Sequence, residues 1–288
     1  MTRSLRQKWR AYRRDPKSLI LFLSVCIAVL LTMLSLLFLV AYILVKGVPH
    51  LTPELFAVRY TSENVSLLPA LINTLFMMLL SLFFAVPVGI GAAIYLTEYA
   101  RRGNKLVNIV GITAETLSGI PSIVYGLFGS LFFVKYLSLG LSLLSGALTL
   151  SIMILPLIMR TTEEALRGVP DSYREGSFGL GAGKLRTVFS VVLPSAVPGI
   201  LSGVILGVGR IVGESAALIF TAGTVAEIAT SLFSSARTLS VHMYSISGEG
   251  LYINQTYATA VVLLAVVIFI NALSGFVAKK IGGKNADG

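Results

Sequence analysis

Apolar residues in this chain are gathered into long uncharged runs, not spread at the helical or strand periods of a half-buried soluble element. Segments 18–45 and 64–97 contain no charged residue at all. A helix rising 1.5 Å per residue needs roughly 20 apolar residues to cross about 30 Å of hydrocarbon. Six stretches meet that length: 18–46, 67–96, 106–134 (interrupted by Glu115), 136–159, 196–222 (containing Arg210 and Glu214) and 252–278. The pattern predicts an all-α, polytopic membrane protein with six transmembrane helices. It leaves a basic tail (1–17), a long inner loop (160–195), an outer segment (223–250) and a short tail (279–288). The first run far exceeds the 7–15 residues of a secretory core and lacks a small-residue cleavage pattern, so an uncleaved span is expected.

Composition supports the pattern. Of 288 residues, 55% are hydrophobic and only 12% charged, with 23 Lys and Arg against 13 Asp and Glu and a net charge of +10. A disordered chain, a basic nucleic-acid-binding domain and a conventional soluble enzyme are excluded. The cations are unevenly placed: 18 of the 23 lie in the segments that share a side with the N-terminus, and only Lys46, Arg59, Lys135 and Arg237 lie opposite. The positive-inside bias puts both termini in the cytoplasm of a plasma-membrane protein. Anionic membrane lipid suffices as partner for the basic tail, and no nucleic acid is implied. Cys26 stands alone, which excludes an intramolecular disulfide, and His50 and His242 have no other ligand at metal-site spacing, so neither a metal nor a cofactor is expected.

Glycine and proline recur inside the spans, among them Pro87, Gly89, Gly119, Pro121, Gly126, Gly129, Gly199, Gly203 and Gly207. They fit two readings, close helix packing or a kinked, moving pathway.

The inner loop has internal order. Ser172 and Glu175 have the spacing of a capping box and predict a helix start. Three glycines at 179, 181 and 183 permit a sharp turn, and Leu185, Val188, Phe189 and Val192 form an apolar stripe on a second short helix that Leu193-Pro194 is expected to end. Such a helix–turn–helix reads either as a docking element or as an amphipathic loop lying on the bilayer. It is not a phosphate-binding loop: Phe178 and Leu185 stand where that motif needs glycine and Ser or Thr.

From Glu175 the loop reads Glu-Gly-Ser, three residues, Gly181, nine residues, Val191, one residue, Leu193-Pro194. This resembles the EAA loop of ABC importer permeases, with Gly176 and Ser177 in place of two alanines. The segments 119–129, 160–164, 210–214 and 238–244 resemble signatures of phosphate-transporter permeases of the PstA type. The resemblance covers about 67–278 and implies a type I ABC importer permease fold. It implies that Glu175, Gly176, Ser177, Gly181, Val191, Leu193 and Pro194 couple the chain to a separate ATP-binding subunit dimer, so that this chain is not itself an enzyme. It implies as further partners a second homologous, PstC-like permease and a periplasmic or lipid-anchored phosphate-binding protein.

Arg210 and Glu214 lie inside the fifth run, where a charge costs at least about 2.5–3.5 kcal/mol and faces protein or a wet cavity. Helical spacing would place the two on one face, able to offset each other. They read either as an ion pair locking two helices or as an anion pathway, for which a planar, permanently charged guanidinium is suited. The resemblance implies transport roles for Arg210, Glu214 and Arg160. Sulfate, molybdate or phosphonate are alternative oxyanion substrates. Glu115 either pairs with a basic residue of a neighbouring helix or closes the inner end of a cavity.

Overall fold

The computed structural model describes residues 16–101 and 105–283; the basic tail up to residue 15, Arg102 and Lys284 lie outside the described residues. These residues form helices and connecting segments without a β-strand. Among the described residues, five helices are long and apolar enough to span a membrane unbroken, and a sixth candidate is a broken pair.

Helix α1 (Pro16–Gly47) leaves most of its apolar side chains exposed and touches the rest of the chain mainly through α11 (Ile253–Gly283). Gly47 permits this contact, since a side chain there would run into the Tyr257 backbone. Helix α2 (Leu68–Ile94) ends in a π-helical turn, Tyr95–Tyr99.

The expected third span is not straight. Helix α3 (Lys105–Ser118) and helix α4 (Ser122–Gly129), the latter prolonged by the π-helical turn Ser130–Tyr136, meet at 104°. Pro121 sits just before α4 with φ −58° and ψ 140°, and a proline pushes its predecessor away from helical geometry, so the ladder stops at Gly119 and Ile120. The Tyr125 hydroxyl donates to the Leu117 carbonyl at 2.7 Å and so satisfies one of the groups freed by the break.

Helix α5 (Leu143–Arg167) is displaced from the expected span 136–159, starting seven residues later and continuing past Arg160. Its start is set by Ser142, whose Oγ accepts from the Ser145 amide, and by Ser234 and Leu232 carbonyls that accept from Leu143 and Leu144. Helix α6 (Asp171–Gly179) follows, then α7 (Lys184–Thr187), a π-helical turn (Val188–Val192) and α8 (Leu193–Gly213), which together run as one 30-residue apolar helix. Leu193-Pro194 therefore does not end the second loop helix. The widened turn ahead of Pro194 accommodates the residue that lacks an amide proton, and the helix continues into the membrane run. That run in turn ends at Gly213, short of 222, because Glu214 is extended (φ −75°, ψ 130°). Helices α9 (Ala216–Thr221) and α10 (Leu239–Glu249) precede α11.

Helix α5 is central. Leu150, Met153, Ile154 and Ile158 pack with Met77 of α2, Ile211 of α8 and Leu218 of α9 in the main core. A second cluster, with Leu96, Leu166, Val169, Val188 and Val192, lies where the loop joins the helices. Several glycines serve packing: a Cβ at Gly199 would stand 2.6 Å from the Ala165 Cβ, and one at Gly126 would stand 2.8 Å from the Ala217 Cα. Van der Waals fit between small residues is what holds helices together when lipid is as apolar as leucine.

Candidate functional site

Arg210 is half-buried, three residues before the end of α8. It forms no ion pair among the described residues, and Tyr125, beside the break between α3 and α4, lies within reach of its charge. The expected Arg210–Glu214 pairing on one helical face is absent, because the helix ends between them. Glu214 is 9% exposed and uses Oε1 to accept the Ala217 amide at 3.0 Å, capping the first turn of α9. Ser240 at the start of α10 donates its hydroxyl to the Gly213 carbonyl at 3.0 Å, so α8, α9 and α10 meet at this one point.

Arg160 lies inside α5, not at the start of a loop. Its Nη2 donates to the Gly111 carbonyl at 3.0 Å and reaches Glu115 Oε2 at 3.3 Å. Of the two roles open to Glu115, pairing with a basic residue of a neighbouring helix is the one observed. Both side chains line a cavity of about 1080 Å³ between α3, the last turns of α2 and α5, and α6. Five basic side chains face it (Arg101, Lys105, Arg160, Arg167, Arg174) together with four carboxylates. Arg210 is not on its wall, so the three expected pathway residues occupy three separate environments.

The loop keeps its predicted helix–turn–helix outline but not its predicted cap. Helix α6 starts after Pro170, two residues too early for a Ser172–Glu175 box, and no side chain of the N-cap residue caps it. Gly181 has φ +81° and makes the sharp turn. Ser177 and Thr187 hydroxyls meet at 2.8 Å and tie the two arms. Glu175 and Gly176 are exposed, and a Cβ at Gly176 would meet nothing. The apolar stripe divides: Val188 and Val192 are buried against α5 and α2 residues, whereas Leu185 (65% exposed), Phe189, Phe178 and Leu180 (91% exposed) form an open apolar surface at the tip. Val191, Leu193 and Pro194 are half-buried where the arm enters the bundle.

Two clusters are not foreseen by the sequence pattern. Arg174, with 16% of its side chain exposed, binds Glu98, with 8% exposed, at 2.7 Å. The Glu98 hydrogen bond raises the Arg174 pKa above its already high ordinary value, burial opposing. The available signal was Glu98 itself, the first charge after an uncharged run of 34 residues. The second cluster is Arg237 and His242, both buried, with the Arg237 guanidinium 4.9 Å from the Tyr60 ring centre and Tyr60 edge-on to His242. Nothing in the spacing links residue 60 to residue 242.

Known proteins resemble this chain, some in fold and others in about a third of the aligned sequence. The sequence profile of the family described as binding-protein-dependent transport system inner membrane component matches residues 85–283. A Bacillus subtilis protein described as probable ABC transporter permease protein YqgI is 32% identical over 263 residues, covering 85% of this chain and 88% of the relative. Phosphate transport system permease protein PstA 1 of Mycobacterium tuberculosis is 38% identical over 154 residues, about half of either chain (54% and 50%). Among solved structures, a chain of a bacterial alginate ABC transporter in complex with an alginate pentasaccharide-bound periplasmic protein superposes with a TM-score of 0.68 at 14% identity, covering 95% of this chain and 98% of that one. The fold is that of type I ABC importer permeases.

Proposed function

The chain belongs to the binding-protein-dependent transport system inner membrane components, and on that premise we propose that it carries inorganic phosphate inward as one permease of an ATP-driven importer. It is a multi-pass membrane subunit, and ATP hydrolysis belongs to a separate subunit. The observation that carries the transport reading is the loop tip. There, Phe178, Leu180, Leu185 and Phe189 present apolar surface to solvent around the positive-φ Gly181, in a segment with EAA-loop spacing. A patch of that kind marks a docking surface, and its occupant in this reading is a groove of the ATP-binding subunit.

In the proposed cycle the broken span counts as a crossing, six crossings place both termini in the cytoplasm, and the loop hangs on the same side. A solute-binding protein delivers the anion at the opposite face, next to segment 223–250. Closure of the ATP-binding dimer pushes on the loop, α8 and α5 move with it, and access alternates. One chain of this size supplies half of a pathway, so a second homologous permease completes it. Similarity to the phosphate permease supports phosphate as substrate. Arg210 supports an anion: among the described residues its guanidinium has no carboxylate to neutralise it, and a group that cannot lose its proton can attract an oxyanion throughout the cycle. Arg160, already shared with Glu115 and the Gly111 carbonyl, holds the anion weakly enough to release it into the inner cavity. Glu214 acts through structure, by fixing the joint next to Arg210.

The test is uptake of labelled phosphate and labelled sulfate by the reconstituted complex, with and without Arg210→Gln. Hydrogen bonds to a charged group contribute about 1.5–3 kcal/mol, so Arg210→Gln lowers phosphate uptake roughly tenfold or more with ATP-subunit docking intact. Unimpaired uptake by the variant removes Arg210 from the pathway; preferential uptake of sulfate by the unsubstituted complex replaces the substrate.

A further inference from the structure

Helix α6 buries none of its residues, so no apolar core fixes it to the bundle. Its attachment to the ends of α2 and α5 is polar and passes through one side chain. Arg174 Nη2 donates to Glu98 Oε1 at 2.7 Å and to the Leu166 carbonyl at 2.9 Å; Nε donates toward both Glu98 oxygens at 3.3 and 3.4 Å; Nη1 donates to the Val169 carbonyl at 2.8 Å and to Asp171 Oδ1 at 3.1 Å. All three guanidinium nitrogens are engaged. Glu98 stands in the π-helical turn that ends α2, and Leu166 supplies one of the last carbonyls of α5, which has no partner within its own helix. One planar group thus joins the loop helix to the ends of two core helices, while Ser177–Thr187 joins the other end of α6 to the arm that becomes α8.

A planar fork held at several acceptors resists sliding and tilting together, which a point charge on a flexible stem does not. Both side chains border the inner cavity, yet only 16% of the Arg174 side chain and 8% of the Glu98 side chain are exposed, so the pair is screened less than a surface pair and removing one partner leaves the other largely uncompensated. The linked helices α2 and α5 are the two that pack most closely along the core. We infer that the Arg174–Glu98 pair is the strut that carries displacement of the loop helix into α2 and α5, making Arg174 and Glu98 positioning residues for coupling. The inference rests on the reading of this loop as the ATPase contact, and it does not depend on which solute is carried.

The experiment uses the reconstituted complex and measures import per ATP hydrolysed together with copurification of the ATP-binding subunit. Arg174→Gln, Arg174→Lys and Glu98→Gln are each expected to retain the subunit and hydrolyse ATP while import per ATP falls tenfold or more. The double Glu98→Gln/Arg174→Gln variant falls no further, because both single changes cut the same link. An unchanged import-to-hydrolysis ratio in Arg174→Gln overturns the inference. A second measurement leaves the pair intact and needs no transported solute. After Cys26→Ser, spin labels at Ser172→Cys on α6 and Tyr95→Cys at the end of α2 should report one distance that persists when ATP binds. A distance that changes on ATP binding means that α6 moves without α2, and overturns the strut. Failure to import phosphate would refute the substrate without altering this distance, so the two outcomes are separable.

Discussion

Gly181 offers the sharpest separation of backbone from bulk. Its φ of +81° lies in the left-handed region, and a Cβ built there meets no atom within 4 Å. A side chain at 181 therefore costs conformational energy alone within this chain, about 1–2 kcal/mol for an ordinary L-residue and less for Asn, whose side chain bonds locally. If docking of the ATP-binding subunit requires the turn as observed, that cost appears in the affinity, as a weakening of roughly 5- to 30-fold on a scale where about 1.4 kcal/mol is tenfold. The series Gly181→Asn, Gly181→Ala and Gly181→Val should then weaken docking in that order, with Val worst because a β-branched residue tolerates positive φ least. The assay is titration of detergent-solubilised permease variants with the purified ATP-binding subunit. Weaker binding by the Asn variant than by the Ala variant would refute the backbone explanation. That order follows side-chain size, not backbone preference, and would mean that the partner packs against residue 181.

Two further outcomes follow from buried polar groups. His242 is fully buried and neither ring nitrogen completes a hydrogen bond of good geometry, although the Val65 backbone lies close by. Burial first, and then the Arg237 charge, lower its pKa from 6.5 to about 4. The unfolded chain then binds the proton more readily, so the stabilisation is complete above pH 6.5 and is lost as pH falls toward 4, amounting to about 3 kcal/mol. With the intrinsic exchange rate at each pH divided out, amide protection across 239–249 should fall over that interval in the unsubstituted protein and stay flat with pH in His242→Asn; a flat protection profile in both excludes the histidine as the cause. Glu214→Ala should lower the melting temperature in detergent through loss of about 1 kcal/mol of capping, whereas Glu214→Gln keeps an acceptor for the Ala217 amide and should melt near the parent. Loss of import in Glu214→Gln at unchanged melting temperature would show that its charge, and not its cap, is what transport needs.

The amino-acid sequence alone determined the class of molecule, because length and charge-free composition of a run depend on no partner: nothing but a membrane accepts 18–45 or 64–97 as helices. It also located the loop and its turn at Gly181, since glycine conformation is a local property. Tertiary structure decided where helices stop and which charges meet. The Ser142 start of α5 depends on carbonyls of residues 232 and 234, and the early end of α8 depends on Glu214 turning to cap α9. Helical periodicity assumes that the helix continues, so it placed Arg210 and Glu214 on a shared face that does not exist. Arg160 with Glu115, and Arg174 with Glu98, are 45 and 76 residues apart. Chain spacing carries no information over such distances; packing of α2 and α3 against α5, from whose end α6 follows within four residues, brings them together.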